Sequence, residues 1–420
     1  MASILELKCV VCQRRYSPDE VQYTCPTCGE VGTLDVLYDY AALARDYQRK
    51  TFVDSNTFSM WRYRALLPLK PDSAVPPLRV GWTPLYETPR IAAQLGVARA
   101  WVKDDGANPT GSLKDRASAL VVAKAMEQGI STISTASTGN AAAALAGVCA
   151  SVGLQPLIFV PATAPEAKIS QLLVYGAKVL LIEDTYDTAF DLCMTLSQQE
   201  GWYCRNTGVN PFTTEGKKTV AFEIAEQSDW NVPDVVVVSV GDGNIIAGVY
   251  KGFYDLRELG WIERIPRLIG VQSETSAPLV HAWENGLDGH QMQPTAAYSI
   301  ADSIVAGVPR DRVKALRAVR ETAGALMAVP DERILAAIPE FAQLSGVFAE
   351  PAAAAAYAGA KQAVEQGIIS ADETVLILST GNGLKDVRRA QQSVQGGVRV
   401  APAIDAARAA AQAVLGVANR

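Results

Sequence analysis

Short, continuous apolar runs alternate with amphipathic segments along most of the chain. The runs are rich in Val, Ile and Leu without an apolar–polar alternation, which is typical of parallel strands buried on both faces. The segments after them carry apolar residues at helical spacing. Together these patterns predict an α/β protein built on doubly wound parallel sheets. The predicted strand–helix pairs are 131–136 with 140–152, 155–160 with 165–175, 178–182 with 186–200, 234–240 with 245–259, 267–272 with 276–285, and 374–379 with 383–393.

Three further segments extend this pattern. Residues 101–103 predict a strand that leads into a loop, and residues 115–129 predict a helix that ends at a glycine. The Ala-rich segment 401–418 predicts a terminal helix that covers either the core or a subunit partner.

The first forty residues follow a different pattern, which is set by two C-x2-C pairs separated by twelve residues. Each pair can direct two thiolates to one ion, and two pairs complete a tetrahedral site for Zn²⁺. Because four protein ligands fill such a site, a structural metal is expected and catalysis at the metal is not. We therefore predict a zinc ribbon over residues 1–40, with a strand at 33–38. The expected ligands are Cys9, Cys12, Cys25 and Cys28.

Composition narrows the class of protein. The 420 residues include 38 Lys and Arg against 44 Asp and Glu, and this net charge of −6 does not suggest a nucleic-acid partner. The N-terminus lacks the pattern of a signal peptide, and no apolar run reaches the roughly 18 residues that span a membrane. Seven cysteines that include C-x2-C pairs favour a reducing compartment. We therefore predict a cytoplasmic enzyme without a nucleic-acid or membrane partner.

The stretch from Asn108 to Arg116 carries the strongest candidate chemistry. Two turn formers and small hydroxyl residues precede a single lysine, Lys114, at the start of the predicted helix 115–129. The positive end of the helix dipole favours loss of the ammonium proton, which suits a lysine that attacks a carbonyl. An ordinary solvated lysine in a charged cluster is the alternative, and the other loops decide between the two.

A second loop follows strand 131–136, at the edge where open parallel sheets bind ligands. Ser137, Thr138 and Gly139 supply hydroxyls and backbone N–H groups at a helix start, which form a cradle suited to a carboxylate. Asn140 adds an amide that can bond a phenolic oxygen. A plain helix N-cap explains one of these residues but not the cluster.

Two more loops follow strands 234–240 and 374–379. In the first, the glycines allow the backbone to approach a phosphate next to a helix start. Its candidate cofactor-binding residues are Gly241, Asp242, Gly243 and Asn244. In the second, Thr380 offers a hydroxyl that can bond a ring nitrogen. A lysine, a phosphate cradle, a carboxylate cradle and a partner for a ring nitrogen are the parts needed to hold pyridoxal phosphate.

Taken together, these residues resemble the fold-type II pyridoxal-phosphate enzymes (tryptophan synthase beta-like), and among them the threonine synthase family. The likeness includes the N-terminal ribbon, the segment Gly81–Leu85 and above all Asn108–Arg116. The segment 210–219 is similar to the family's N-P-x-x-x-E-G-x-K-T motif.

The resemblance implies a role for each loop. Lys114 is the lysine that forms the Schiff base with the cofactor, and Asn140 is the partner of the cofactor's phenolic oxygen. Residues 241–244 hold the cofactor phosphate, and Thr380 is the partner of the ring nitrogen. It also implies a substrate site formed by Ser137, Thr138, Gly139 and Asn206.

The family's architecture implies three parts and a homodimer. These are the zinc ribbon, a large cofactor domain over 41–127 and 206–420, and a smaller mobile domain over 128–205. The implied reaction converts O-phosphohomoserine and water to threonine and phosphate.

Two positions depart from the family's pattern. The family often places an arginine soon after the Asn-Pro pair to bind the substrate phosphate, and here Thr213 and Thr214 stand there. A threonine commonly follows the asparagine of the second loop, and here it is Ala141. The basic residues that could replace the lost arginine are Arg205, Lys217 and Lys218.

These departures keep two alternatives open. The first is β-elimination or β-replacement on a related amino acid, as in threonine or serine dehydratases, diaminopropionate lyases or cysteate synthase-like enzymes. The second is a binding protein that carries a zinc ribbon and has lost its catalytic activity.

Overall fold

The structure is a computed structural model that describes residues 4–164 and 166–416. Its strands are β1 Ile4–Cys9, β2 Arg15–Tyr16, β3 Leu34–Tyr38, β4 Leu85–Glu87, β5 Arg99–Asp104, β6 Thr132–Ala136, β7 Gln155–Pro161, β8 Lys178–Ile182, β9 Tyr203–Cys204, β10 Val235–Ser239, β11 Arg267–Ser273, β12 Ala325–Val329 and β13 Thr374–Ser379.

The α-helices alternate with these strands. They are α1 Tyr40–Asp46, α2 Arg49–Val53, α3 Pro89–Leu95, α4 Lys114–Glu127, α5 Asn140–Val152, α6 Glu166–Val174, α7 Tyr186–Glu200, α8 Phe212–Lys217, α9 Thr219–Gln227, α10 Asn244–Glu258, α11 Pro278–Glu284, α12 Arg312–Glu321, α13 Asp331–Ser345, α14 Pro351–Glu365, α15 Val387–Gln392 and α16 Ile404–Leu415. No helix in residues 4–164 and 166–416 is long and apolar enough to cross a membrane.

The N-terminal strands form a small antiparallel sheet in the order β2-β1-β3. Leu7 pairs with Val36, and both side chains are buried. The predicted strand at 33–38 is confirmed as β3. This sheet shares no strand with the rest of the chain, so side chains must attach it to the body.

The largest sheet has six strands in the order β12-β11-β10-β13-β5-β4. Five are parallel, and β4 is an antiparallel edge strand. All five residues of β10 (VVVVS) are buried, as the continuous apolar run predicts. The carboxyl ends of β10 and β13 therefore meet at one edge of the sheet, where the loops at 241–244 and 380 begin.

A second sheet has four parallel strands in the order β8-β7-β6-β9. All of its strands lie between residues 132 and 204, inside the segment 128–205 that the sequence assigns to a smaller domain. Both sheets are parallel layers flanked by helices, so the predicted α/β class is confirmed. The mobility of the smaller unit stays a prediction.

Two terminal elements differ from expectation. The predicted helix 383–393 is a 3-10 turn at 383–386 followed by α15, because the side chains of Asn382 and Asp386 each cap a separate start. In the predicted segment 401–418, α16 has no buried residue, so it does not cover the core. The last two residues of that segment, like residue 165 of the predicted helix 165–175, lie outside the described residues.

A buried ionic cluster fixes the loop that carries Lys114. Arg116, in the first turn of α4, donates two hydrogen bonds to the Asp105 carboxylate at 2.6 and 2.8 Å. It also bonds both oxygens of Glu223 on α9, at 2.5 and 2.8 Å. Lys103 of β5 donates to Glu223 at 2.7 Å. All four side chains are fully buried, so this cluster holds α4, β5 and α9 in one arrangement.

Candidate active site

A cavity of about 510 Å³ lies at the carboxyl ends of strands from both parallel sheets. It is formed where β6 and β10 end and where α5 and α10 begin, the position at which open parallel sheets bind ligands. Ten of the predicted site residues line it: Lys114, Ser137, Thr138, Gly139, Asn140, Asn206, Gly241, Asp242, Gly243 and Asn244. The cavity therefore brings together residues that lie up to 130 positions apart in the chain.

Lys114 is the first residue of α4 and is half-buried in the cavity wall. Burial lowers the pKa of its ammonium group. The negative charge of Glu350 opposes this shift, and the positive charge of Arg205 adds to it. An amine in this setting gives up its proton more readily than an ordinary lysine, which a nucleophile or a general base requires.

The glycine loop between β10 and α10 packs closely against neighbouring segments of the chain. A Cβ atom on Gly241 would lie 2.9 Å from the Cα of Ile304, so a side chain there would displace the loop. Gly243 has a φ of 86°, which favours glycine, and α10 starts at the next residue. The backbone can therefore approach an anion closely, and the unpaired N–H groups of the first turn face it.

Asp242 occupies the same loop. Burial raises the pKa of its carboxyl group, while the charge of Arg310 and a hydrogen bond from the Arg310 backbone N–H at 3.4 Å oppose that shift. The Asp242 carboxyl interacts with Arg310, so the backbone N–H groups of the loop remain available to bind an anion.

Asn140 opens α5 and pairs with a residue that the sequence analysis missed. Its Nδ2 donates to Glu350 Oε1 at 2.8 Å, and Glu350 is buried. Burial raises the pKa of Glu350. Glu350 stands directly before the Ala-rich helix α14, and no motif in the sequence marks it.

Asn206 lines the cavity, and its side-chain amide oxygen accepts hydrogen bonds from within the protein. Its Oδ1 accepts a hydrogen bond from the Ala136 backbone N–H at 2.8 Å and from Thr135 Oγ1 at 3.0 Å. These bonds tie Asn206 to the end of β6, directly before the loop Ser137–Gly139. A role in positioning that loop follows from the contacts, and contact with a substrate stays a prediction.

Thr380 does not line the cavity. It is buried beside the lysine loop, where its carbonyl oxygen accepts the Leu113 N–H at 2.9 Å. The hydroxyl of the preceding residue, Ser379, is buried and has no hydrogen-bond partner in the described part of the chain. The pairing of Thr380 with a ring nitrogen stays a prediction.

The three basic residues that could replace the lost arginine lie in different places. Arg205 and Lys217 line the cavity, and both are buried. Lys218 points away, into ion pairs with Glu215 at 2.5 Å and Asp255 at 2.7 Å. Lys218 is therefore a structural residue, and two candidates remain.

The four cysteines of the N-terminal sheet form a separate cluster. Their sulfur atoms all lie within 4.8 Å of one another, and those of Cys12 and Cys25 are 3.7 Å apart. A tetrahedral ion with metal–sulfur bonds of about 2.3 Å needs sulfur–sulfur distances of about 3.8 Å. A Cβ atom on Gly32 would lie 2.6 Å from that of Cys28 and 2.8 Å from that of Cys25, so only glycine fits between these ligands. The cluster has the size of a metal site.

The α/β fold and the cavity that contains Lys114 are those expected of a pyridoxal-phosphate enzyme, and comparison with known proteins confirms this class. Residues 77–381 match the family described as pyridoxal-phosphate dependent enzyme, and the chain belongs to that family. Within it, the chain is 41% identical over 381 residues to the threonine synthase of Methanosarcina acetivorans, covering 90% of this chain and 92% of that protein. It is 37% identical over 384 residues to the threonine synthase of Methanocaldococcus jannaschii, with the same two coverages of 90% and 92%. The resemblance stated from the sequence is confirmed.

Solved structures share the fold at low sequence identity. Threonine deaminase isoform 2 from Solanum lycopersicum superposes with a TM-score of 0.63 at 22% identity, over 74% of this chain and 83% of that one. Diaminopropionate ammonia lyase from Escherichia coli gives a TM-score of 0.65 at 18% identity, over 81% and 93%. These likenesses confirm the fold-type II architecture.

The cavity fits pyridoxal phosphate on three observations. Gly241 and Gly243 line the cavity and are packed so closely against Ile304 and Ala315 that only glycine keeps the loop backbone in this place, where it can receive a phosphate. Ser239, at the end of β10, presents a buried hydroxyl that has no hydrogen-bond partner within residues 4–164 and 166–416. Lys114 Nζ holds no hydrogen bond or ion pair in the same described ranges, so its amine is open to an aldehyde.

Proposed function

We propose that the protein is a threonine synthase, a carbon–oxygen lyase that converts O-phosphohomoserine and water into threonine and inorganic phosphate. The observation that carries this proposal is the similarity to threonine synthases over nine-tenths of the chain. The cavity supports it, because one lysine with a lowered pKa stands among basic groups suited to anionic ligands.

Lys114 is the residue that moves protons in this proposal. Bound pyridoxal phosphate supplies a conjugated ring that withdraws electrons from the substrate Cα and makes its proton acidic. Lys114 Nζ accepts that proton, for which its lowered pKa is suited. Asn140 and the glycine loop hold the ring oxygen and the phosphate of the cofactor in place relative to Lys114.

The loop Ser137–Gly139 binds the substrate carboxylate in this proposal. The first helical hydrogen bond of α5 runs from Ala143 N to Gly139 O, so the preceding N–H groups at the helix start, including those of the cavity-lining Asn140 and Ala141, have no partner within the helix. In the net reaction the Cγ–oxygen bond breaks and phosphate leaves. Cβ exchanges one hydrogen for the hydroxyl of water, and Cγ gains a hydrogen to become a methyl group.

Turnover of O-phosphohomoserine by the purified holoenzyme tests the proposal. Equal amounts of inorganic phosphate and threonine are expected. The competing function is β-elimination, which the absence of an arginine at position 213 favours; it would release a 2-oxo acid and ammonia from threonine or serine. Deamination without any production of threonine would contradict the proposal.

The metal of the N-terminal cluster is also a proposal. Four thiolates in tetrahedral spacing suit Zn²⁺, and with no ligand position left for water the ion is structural. The small sheet β1–β3 has little core of its own, so the metal contributes to its folding.

A cytoplasmic location and a homodimer complete the proposal. All seven cysteines lie in the described residues and none of them forms a disulfide, which suits a reducing compartment. The apolar side chains of Ile404, Val414 and Leu415 on α16 are exposed, and in the proposed homodimer a second subunit covers them.

A further inference from the structure

Most of the buried basic side chains in the described part of the chain are paired with a carboxylate. Within residues 4–164 and 166–416 eight Lys and Arg side chains are buried, and six of them form ion pairs. The two without a carboxylate partner both line the cavity. They are Arg205 and Lys217. Burying a charge without a bonded counterion is costly, so both groups are suited to an anion that enters the cavity.

Lys217, the last residue of α8, contacts the end of the loop that would hold the cofactor phosphate. Its Nζ donates a hydrogen bond to Asn244 Oδ1, and Asn244 is the first residue of α10. Burial lowers the pKa of Lys217, and the nearby charges of Arg205 and Lys114 lower it further. A phosphate in the glycine loop would restore its charge. The cofactor therefore accounts for Lys217.

Arg205 remains without an anion after this assignment. Its Nε donates to Ser118 Oγ at 3.2 Å and its Nη1 to Thr207 Oγ1 at 2.6 Å, and both partners are neutral. Its Nη2 is buried and has no hydrogen-bond partner in the part of the chain that the structure describes. Ser118 lies one turn after Lys114 on α4, so the guanidinium is fastened close to the reactive amine.

The residues at the usual phosphate-binding position cannot serve this purpose. Thr213 Oγ1 donates to the Asn210 carbonyl oxygen at 2.7 Å, and Thr214 Oγ1 accepts from Asn244 Nδ2 at 2.8 Å. Both side chains are buried, and neither lines the cavity. The substrate's phosphate must therefore find its partner elsewhere in the wall.

We propose that Arg205 binds the phosphate group of the substrate, in place of the arginine that is absent after Asn210-Pro211. The two unpaired basic groups then match the two phosphates that the cavity receives, one from the cofactor and one from the substrate. A guanidinium with an open N–H edge is suited to a phosphate oxygen. This inference rests on the proposed function, since it names the group that selects a phosphorylated substrate.

Two variants of Arg205 test the inference in the holoenzyme. In R205Q the KM for O-phosphohomoserine is expected to rise about 10- to 100-fold, the loss of one hydrogen-bonded charge. R205K keeps the charge without the planar fork and is expected to fall between R205Q and the wild type. The matched control is R64Q, since Arg64 is a half-buried arginine with neutral partners that lies outside the cavity.

A binding measurement that does not depend on turnover completes the test. Calorimetric titration of each holoenzyme with inorganic phosphate is expected to show at least a tenfold weaker Kd in R205Q than in the wild type and R64Q. The affinity for pyridoxal phosphate is expected to stay within twofold in all variants, and circular dichroism checks that they are folded.

The outcomes separate the two proposals. A wild type that makes threonine while R205Q keeps its KM and its phosphate Kd overturns the role of Arg205 and leaves the function intact. Loss of pyridoxal-phosphate affinity in R205Q with an unchanged KM makes Arg205 a cofactor ligand and also overturns it. A wild type that makes no threonine contradicts the proposed function itself.

Discussion

At the scale of single residues, the site depends on how charges are compensated. Arg116 is fully buried but bound to Asp105 and Glu223, so it is a fixed part of the framework. Lys114 lies two positions earlier and has no such partner within residues 4–164 and 166–416, so its proton is labile. Two neighbouring basic residues thus differ in chemistry because one faces carboxylates and the other faces the cavity.

Replacing Lys114 by alanine is expected to abolish catalysis without destabilising the fold. K114A is expected to lower kcat by at least roughly 1000-fold, because it removes both the attachment point of the cofactor and the proton acceptor. Its Tm is expected to equal or exceed that of the wild-type apoenzyme, since an amine next to Arg205 is removed. Steady-state kinetics and thermal unfolding measure the two effects. Turnover at the wild-type rate would contradict the assignment.

The buried Glu223 gives the protein a predictable response to acid. Burial raises the pKa of Glu223, but the charges of Arg116 and Lys103 outweigh this and bring it to about 2, below its ordinary value of 4.5. The folded state therefore binds this proton less tightly than the unfolded state. The stability that Glu223 contributes is complete above pH 4.5 and is lost as the pH falls towards 2.

The variant E223Q isolates this contribution. At pH 7 it is expected to lower the free energy of unfolding by about 3–5 kcal/mol, because it leaves the buried Lys103 without a carboxylate and removes one of the two carboxylates bound by Arg116. The difference from the wild type should shrink in urea titrations carried out below pH 4.5. The control is E87Q, which breaks an exposed pair with Arg99 and should cost less than about 1 kcal/mol. A difference that does not depend on pH would refute the account.

At the scale of elements, the proposed site for the cofactor phosphate is the junction of a strand, a glycine loop and a helix. β10 delivers the loop to the sheet edge, and α10 begins within it. The backbone of the loop contacts the segment around Ile304, which leaves no space for a side chain at Gly241. Phosphate binding therefore depends on a close approach between two stretches of backbone.

A single methyl group tests that close approach. G241A is expected to weaken pyridoxal-phosphate binding about 10- to 100-fold, which corresponds to an overpacking cost of about 1.4–3 kcal/mol. Fluorescence titration of the apoenzyme measures the Kd. G396A is the control, because a Cβ atom on Gly396 meets no atom within 4 Å. An unchanged Kd in G241A would show that the loop can move without affecting the cofactor.

The pattern of the sequence predicted some elements far better than others. Strands such as β10 and β13 were recognisable because they are buried on both faces and consist of continuous apolar residues. The strand β12 (ALMAV) and the helix α14 were not assigned, since α14 is buried almost all round and shows no polar face. Glu350, which directly precedes α14, was missed for that reason.

The sequence predicted those parts of the site whose functional residues lie next to each other in the chain. The lysine loop and the glycine loop could be identified because each contains its own turn residues and helix start. The choice among Arg205, Lys217 and Lys218 could not be made from the sequence, because it depends on which partners lie across the fold. Only the contacts of Lys218 with Glu215 and Asp255 remove it from the cavity.

At the scale of the whole molecule, the N-terminal sheet is an attached unit. It pairs with no strand of the body, and side chains fasten it. Asp35 accepts two hydrogen bonds from Arg317 of α12, at 2.7 and 3.0 Å, and the hydroxyl of Tyr38 donates to Glu215 of α8. Lys217, in the same short helix as Glu215, lines the cavity. The ribbon therefore supports an active-site helix without entering the site.

Replacing one of the four cysteines tests whether the N-terminal sheet has a structural role only. C25S is expected to lower zinc content, measured by atomic spectroscopy, from one ion per chain and to reduce the Tm. The kcat of molecules that remain folded is expected to stay within about twofold of the wild type, since the cysteines lie outside the cavity. The control is C149A, a buried cysteine outside the ribbon, which should keep its zinc. A folded C25S protein without activity would show that the ribbon takes part in catalysis.

The ribbon also touches the other parallel sheet. The hydroxyl of Tyr23 accepts the backbone N–H of Cys204 in β9 at 2.8 Å, and its ring lies 6.3 Å from that of Tyr203. The hydroxyl of Tyr38 donates to Glu215 of α8, and the chain between the two tyrosines contains Cys25 and Cys28. We propose that a metal ion held by these cysteines stiffens this connection and so restricts how far the second parallel sheet can move against the first.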